Sequence, residues 1–548
     1  MNETARDADV EALMRRAQLT LTDEERQWVD NAFNGYRAQL EALHALDLDG
    51  EAVGAGYTVT AGPTGDSGPR VTTLPSSSRG EAAPSADGSG DLHYLSIADA
   101  ATLIERGELS PTELTQAYLK RIAGVDERLH AYITLLADSA MEQARTAERE
   151  IRDGHYRGAL HGIPVALKDL FDTAGVATTG ASKAHRARVP AQDCAVAERL
   201  EVAGAILLGK LTMSELAMTG PPGFGEEARN PWNTERVPGW SSSGSAVAVA
   251  AGLCAGAFGS DTGGSIRFPA SYNNIVGLMP SFGRISQRGT MLLSPTLDHF
   301  GPMTRTVTDA ALMLEATAGF DPRDPNSARA PVPNFAGELA RKLTGKRVGV
   351  LHQANEGVYP QTLRAVETAI RDLEKLGAGV GDVTIPSFEH AHIANCIIYL
   401  TEGTVLHQDV LRTRSGDIGQ IFRIYGFLGA LFTAADYMQA QRLRTRITRE
   451  LMEIYGTVDV LVFPATASPA RPLADFDPYS LTDAGRSGPS EIFNLAGCPA
   501  VSVPCGFTGD GLPIGLQIAG APLDDASVLG TAFAYEQMNP WYRTHPAL

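Results

Sequence analysis

One stretch, residues 239 to 280, constrains this chain more than any other: GWSSSGSAVAVAAGLCAGAFGSDTGGSIRFPASYNNIVGLMP. Two turns rich in Ser and Gly flank a run of small apolar residues, Ala246 to Phe258. The run lacks Pro and charge, a composition that predicts a helix buried on most sides. In the second turn Asp261, Thr262, Gly263, Gly264 and Ser265 follow one another. Consecutive glycines let backbone N–H groups converge on one point, because no Cβ blocks them. A serine closing such a turn is placed to act as a nucleophile. The N–H groups of Thr262, Gly263, Gly264 and Ser265 would then form an oxyanion hole.

A nucleophilic serine needs a base. The G-x-S-x-G elbow that accompanies a histidine base is absent: Ser243 follows Ser241-Ser242, and Arg267 follows Ser265-Ile266. The other candidate is Lys168, in LHGIPVALKDLFDTAG. Residues 163 to 167 read as a short buried strand with Lys168 at its end. Burial disfavours an ammonium, so a lysine there can be neutral and take a proton. His161, in the same stretch, reads as structural, and Lys210 as structural or part of a pocket wall.

GIPVALKD, the serine turn at Ser241 and GSDTGGSIRFP, in this order and spacing, resemble the amidase signature family. The likeness continues through VGLMPSFGRISQRG, LDHFGPMTRTVTDAALMLEATAG and FNLAGCPAVSVPCGFTGDGLPIGLQIAG. It covers roughly Leu92 to the end. The resemblance implies a Ser–cis-Ser–Lys triad in which Ser265 is acylated, Ser241 bridges from 24 positions earlier and Lys168 is the base. It also implies a cis peptide bond before Ser241. The family pattern there is Gly-Gly-Ser-Ser-Gly-Gly. This chain has Gly239-Trp240-Ser241-Ser242-Ser243-Gly244. Ser242, Asp261 and Arg267 are read as supports of the triad and the glycine turn, the last two through charge-assisted hydrogen bonds.

The resemblance and the alternation of helix and strand after Leu95 predict an α/β/α layered domain. A twisted, mixed and mostly parallel sheet would carry helices on both faces. Three segments are expected: a helical extension over 1–53, a linker rich in Gly, Ser and Pro over 54–91, and a catalytic domain over 92–548. In the extension, 7–19 and 22–46 have helical spacing, and Thr22 is an N-cap. The extension resembles, faintly, small helical subunits that accompany some amidases; a helical cap on the chain itself is the simpler reading. Residues 395–400 and 421–432 are apolar and aromatic, as expected of core helices or of the walls of an acyl pocket. Met218 and Tyr399 are the pocket candidates.

A net charge of −18 without a Lys/Arg cluster argues against nucleic acid and anionic membranes as partners. No apolar run is long enough to span a bilayer, and the N-terminal residues lack the apolar core of a signal peptide. Five cysteines, at 194, 254, 396, 498 and 505, show no metal-ligand spacing. Reduced thiols and a cytoplasmic location are expected. No metal or organic cofactor is called for, and a homodimer is the oligomer considered. The expected reaction is hydrolysis of a carbon–nitrogen acyl bond in a small amide, anilide or carbamate with an apolar or aromatic portion, with esters as further acyl donors. The alternative is a glutamine-dependent amidotransferase A-type subunit that supplies ammonia to a partner. A degenerate binding protein, suggested by Trp240 and Ser243, is a third reading.

Overall fold

The computed structural model describes residues 21–48, 50–53, 92–475 and 490–548. The expected helix over 7–19 and the expected linker over 54–91 lie outside these residues. Among the described residues eleven strands form one sheet: β1 (Tyr132–Leu135), β2 (Pro164–Lys168), β3 (Ile206–Leu211), β4 (Gly256–Asp261), β5 (Val276–Met279), β6 (His299–Thr304), β7 (Arg347–Leu351), β8 (Gly379–Val383), β9 (Val460–Pro464), β10 (Ala500–Phe507) and β11 (Pro513–Gly520). Their order is β1-β3-β2-β4-β6-β5-β10-β11-β9-β7-β8. Helices flank the sheet, giving the expected layered α/β architecture.

The sheet is mixed but not mostly parallel. Among the described strands, β2 pairs parallel with β3 and β4, and β7 with β8 and β9; the other six ladders are antiparallel. Chain connection explains the difference. A parallel pair needs a long crossover, whereas β10 and β11 are joined by five residues, 508–512, and must run antiparallel. The two parallel groups sit towards opposite ends of the sheet, and the antiparallel strands join them.

The expected helix over 246–258 is a helix and then a strand. Helix α2 spans Ser243–Ala250, and the chain turns at Gly252 before β4 begins. Gly252 has φ of +70°, a conformation that ends a helix readily only at glycine. Every residue of α2 and β4 is buried, so neither shows the one-sided pattern that separates a helix from a strand in sequence.

Helix α1, Asp23–Ala45, starts at a capping box in which Thr22 and Glu25 satisfy each other's backbone N–H. It buries Val29, Tyr36 and Leu43, seven residues apart on one face. Burying each such side chain contributes about 1.5–3 kcal/mol. The face packs on three helices: α5 (Ala391–Thr413), α6 (Gln420–Leu431) and α7 (Ala434–Tyr455). Tyr36 meets Phe432 edge-on with ring centres 5.8 Å apart. Polar contacts clasp both ends. Glu25 pairs with Arg423, His44 Nε2 lies 2.7 Å from Asp436 Oδ1, and Arg449 donates to Glu51 at 2.7 Å. Two further helices, α3 (Arg267–Asn273) and α8 (Glu491–Ala496), stand beside the glycine turn, α3 following α2 in the chain, and α4 (Pro360–Lys375) leads into β8.

Candidate active site

Parallel pairing of β2 with β4 sets Leu167 opposite Phe258. Lys168 ends β2, and Ser260 lies two residues beyond Phe258 on the neighbouring strand. Both reach the carboxyl ends of parallel strands, where open α/β sheets place their sites. The Lys168 amine is fully buried among three hydroxyls: Ser241 Oγ at 2.8 Å, Ser242 Oγ at 2.9 Å and Ser260 Oγ at 2.7 Å. Among the described residues it has no ion-pair partner. Burial pushes it well below the ordinary lysine range, against the pull of Asp298 and Asp261. A neutral amine has two N–H groups and one lone pair. Ser242 donates its own proton to the Ser260 carbonyl at 3.1 Å, so it accepts from Lys168. The lone pair is left for the hydroxyl of Ser241 or Ser260.

Ser241 and Ser242 lie just before α2. Among the described residues no peptide bond is cis, so the bond between Trp240 and Ser241 is trans and departs from what the resemblance implies. A cis bond ahead of a residue other than proline costs about 2.5–4 kcal/mol, and here Trp240 replaces the family's glycine. Gly239 keeps a glycine-only geometry: its φ is +117°, and a Cβ would lie 2.5 Å from Pro269 Cα.

Asp261 organises the second turn. Its Oδ1 accepts from the Gly264 N–H at 2.7 Å and from Asn494 Nδ2 at 2.9 Å, and its Oδ2 accepts from the Ile266 N–H at 3.0 Å. Arg267 grips both oxygens, Nε to Oδ2 at 3.0 Å and Nη2 to Oδ1 at 2.9 Å. Burial alone would raise this carboxyl, but Arg267 and Asn494 hold it well below the ordinary carboxylate range. Gly264 has φ of +123°, and a Cβ there would run into the Phe268 ring at 2.2 Å.

This bracing removes Gly264 from the expected oxyanion donors, because its N–H is already given to Asp261. The N–H groups of Thr262, Gly263 and Ser265 have no hydrogen-bond partner among the described residues. Thr262 is anchored from its side chain, Oγ1 donating to Asp298 Oδ1 at 2.6 Å. Burial pushes Asp298 up to about 6. Asn395, on α5, donates to the Thr262 carbonyl at 3.2 Å.

Ser265 faces a cavity that opens to solvent. Its side chain makes no hydrogen bond to Ser241 among the described residues. Met218, Trp240, Phe268, Leu293, Tyr399 and Tyr425 give the walls their apolar character; His392, Asn395, Cys396 and Glu491 add polar groups. Both pocket candidates, Met218 and Tyr399, are on the wall. Lys210 lies apart, bonded to the Phe171 carbonyl and Thr178. His161 is buried against Glu150 and has no place in the site.

Sequence reasoning missed Ser260, Asn395, Asp298 and Asn494. Asp298 and Asn494 stand inside the motifs LDHFGPMT and FNLAG, but nothing in those strings says which turn they reach. Among the described residues no group of His, Cys, Asp and Glu has the arrangement of a metal site, and no helix is long and apolar enough to cross a membrane.

The family model described as Amidase matches residues 113–529. The A-type subunit of the glutamyl-tRNA(Gln) amidotransferase from Thermosynechococcus vestitus is 40% identical over 473 residues, 81% of this chain and 98% of that protein. The crystal structure of the peptide amidase from Stenotrophomonas maltophilia superposes with a TM-score of 0.72 at 32% identity, over 85% of this chain and 99% of that one. A bacterial aryl acylamidase described as an amidase signature enzyme gives a TM-score of 0.75 at 29% identity, over 83% and 99%.

Proposed function

This chain belongs to the amidase family, and we propose that it is a serine amidase that cleaves small amides with an apolar or aromatic portion, anilides and aryl carbamates among them, through an acyl-enzyme on Ser265. The observation that carries the reading is the Lys168 amine, buried, without a carboxylate partner among the described residues and 2.8 Å from Ser241. Neutral Lys168 takes the proton of Ser241 as Ser241 takes that of Ser265. Ser265 attacks the carbonyl carbon. The oxyanion is met by the N–H groups of Thr262, Gly263 and Ser265. The relay then returns the proton to the leaving nitrogen, and water hydrolyses the acyl-enzyme. Met218, Trp240, Phe268, Leu293 and Tyr425 support an apolar substrate portion, since each buried CH₂ gains about 0.8 kcal/mol.

A second reading rests on a specific finding. The relative from Thermosynechococcus vestitus is named as the A-type component of a glutamyl-tRNA(Gln) amidotransferase. On that reading the amide is glutamine's, and its ammonia passes to a partner protein. Both readings share the Ser265 chemistry and differ in the pocket.

One panel separates them. The purified full chain is assayed with anilides, aryl carbamates, nitrophenyl esters, glutamine and asparagine, beside Ser265→Ala. Ser265→Ala is expected to abolish turnover and fluorophosphonate labelling and to keep its fold. Activity within about tenfold of the parent, a barrier change of only about 1.4 kcal/mol, overturns the nucleophile. Glutamine or asparagine outperforming the anilides replaces the first reading with the second.

A further inference from the structure

The Ser265 cavity carries a second reactive cluster that the amide chemistry does not use. On α5, His392, Cys396 and Tyr399 follow at spacings of four and three residues, so they share one helix face. His392 Nδ1 lies 2.9 Å from Glu491 Oε1 on α8. The other ring nitrogen, Nε2, lies 3.5 Å from Cys396 Sγ, and the Tyr399 hydroxyl is 3.9 Å from the same sulfur. The Glu491 carboxylate therefore holds Nδ1, and the Cys396 sulfur lies against the ring, 3.5 Å from Nε2 and 3.9 Å from Nδ1, close enough for an imidazolium to favour the thiolate. All four side chains line the cavity into which Ser265 opens.

The charge state of the imidazole fits this arrangement. Cys396, and after it Glu491, hold His392 well above the ordinary imidazole range against the effect of burial. The remaining cysteines have no such imidazole beside them. Burial pushes Cys194 and Cys254 up to about 12, and Cys498 and Cys505 higher still. None of those four lines the Ser265 cavity.

We propose that Cys396 is a reversible thiol-modification site for small disulfides that enter the amide cavity, and that a mixed disulfide there closes Ser265 to substrate. The Cys396 thiolate attacks one sulfur of R–S–S–R. The disulfide's S–S bond breaks as the Cys396–S–S–R bond forms. The departing RS⁻ takes the proton held on His392 and leaves as a thiol. Cys396 is oxidised and the small disulfide is reduced; added thiol runs the exchange backwards. The group R then occupies space the substrate needs. The loss of turnover rests on the Ser265 reading, whereas the exchange itself does not.

The full chain is treated with 2-hydroxyethyl disulfide, and separately with oxidised glutathione, and followed by intact mass, peptide mapping and fluorophosphonate labelling. The expected result is one adduct, on Cys396, with amide turnover and Ser265 labelling reduced at least about tenfold and both restored by dithiothreitol. Cys396→Ser, or Cys396→Ala if that variant fails to fold, should take up no adduct, and the disulfide should leave the variant's own turnover where it was. His392→Gln should slow adduct formation at neutral pH by about tenfold. The proposal is overturned if no adduct forms, if it forms on another cysteine, if His392→Gln reacts as fast as the parent, or if modified Cys396 leaves turnover and labelling unchanged. If untreated protein is not labelled at Ser265, the amidase reading fails, and the adduct and its dependence on His392 still decide the thiol site.

Discussion

Two lysines are buried completely on neighbouring parallel strands, and they have different surroundings. In the β2–β3 register Leu167 is opposite Lys210, and Lys168 is opposite Leu211. Cross-strand partners share a face and successive residues alternate, so Lys168 and Lys210 project to opposite faces of the sheet. On one face Lys168 meets three serine hydroxyls and, among the described residues, no carboxylate. On the other, Lys210 lies 3.4 Å from Asp169 Oδ1 and 2.7 Å from both the Phe171 carbonyl and the Thr178 hydroxyl. Burial lowers both amines. For Lys210 the Asp169 charge opposes that effect directly; for Lys168 the opposing carboxylates, Asp298 and Asp261, stand behind other partners. Burial alone therefore does not make a base. The base proposed for this site is the lysine whose burial is not answered by a paired charge.

The largest effect that can break the comparison is on turnover. Lys168→Met should lower kcat/KM by about 10³-fold, within the range seen for loss of a general base, with the melting temperature near that of the parent. Lys210→Met should do the reverse. It strands Asp169 as a buried, unpaired carboxylate, at a cost of about 3–5 kcal/mol in a urea titration, while turnover per folded molecule stays within a few-fold. Lys210→Met with Asp169→Asn should recover much of that stability. If Lys210→Met loses turnover and Lys168→Met loses stability, the two roles have been exchanged.

The pH dependence sharpens the same contrast. Activity should rise with pH through a value well below about 10.4, the ordinary lysine figure, and Lys168→Met should lack that limb. The folded state loses the Lys168 proton before the unfolded chain does. Between the folded value and about 10.4 the unfolded chain holds more protons, so stability rises with pH across that window; below it, both states are charged and the slope vanishes. Urea midpoints measured against pH should show this slope in the parent and a smaller one in Lys168→Met. The smallest effect is expected of Ser242→Ala. It removes one of three hydroxyls around the amine, at a cost of about 1 kcal/mol in stability and a few-fold in rate.

The parts of the site that were legible in the sequence are local. Lys168 after a short apolar run and Ser265 after two glycines are fixed by their immediate neighbours, and the ion pair of Asp261 with Arg267 spans only six positions. The misreading of 246–258 as one helix had a further consequence. It hid the strand that carries Ser260, and with it a contact of Lys168. Uniform burial erased the periodicity that would have separated helix from strand there. Gly264 was misjudged because glycine supplies freedom but does not say where an N–H points; the Asp261 carboxylate decides that. The pocket wall was half legible. Met218 and Tyr399 were expected on it, but Cys396 with His392 and Glu491 needed the third dimension, since Glu491 lies almost a hundred positions from its histidine partner.

The N-terminal helix has one more consequence. Tyr36 of α1 is buried beside Cys396, and burial and that thiol hold its phenol well above the ordinary range. The wall of the cavity is thus backed by a residue 360 positions earlier in the same chain. A partner supplied on a separate chain would dissociate on dilution. A helix on the same chain instead meets its docking face at an effective concentration set by the connecting residues and not by the amount of protein. The fraction of molecules with a complete cavity is therefore the same at nanomolar as at micromolar protein.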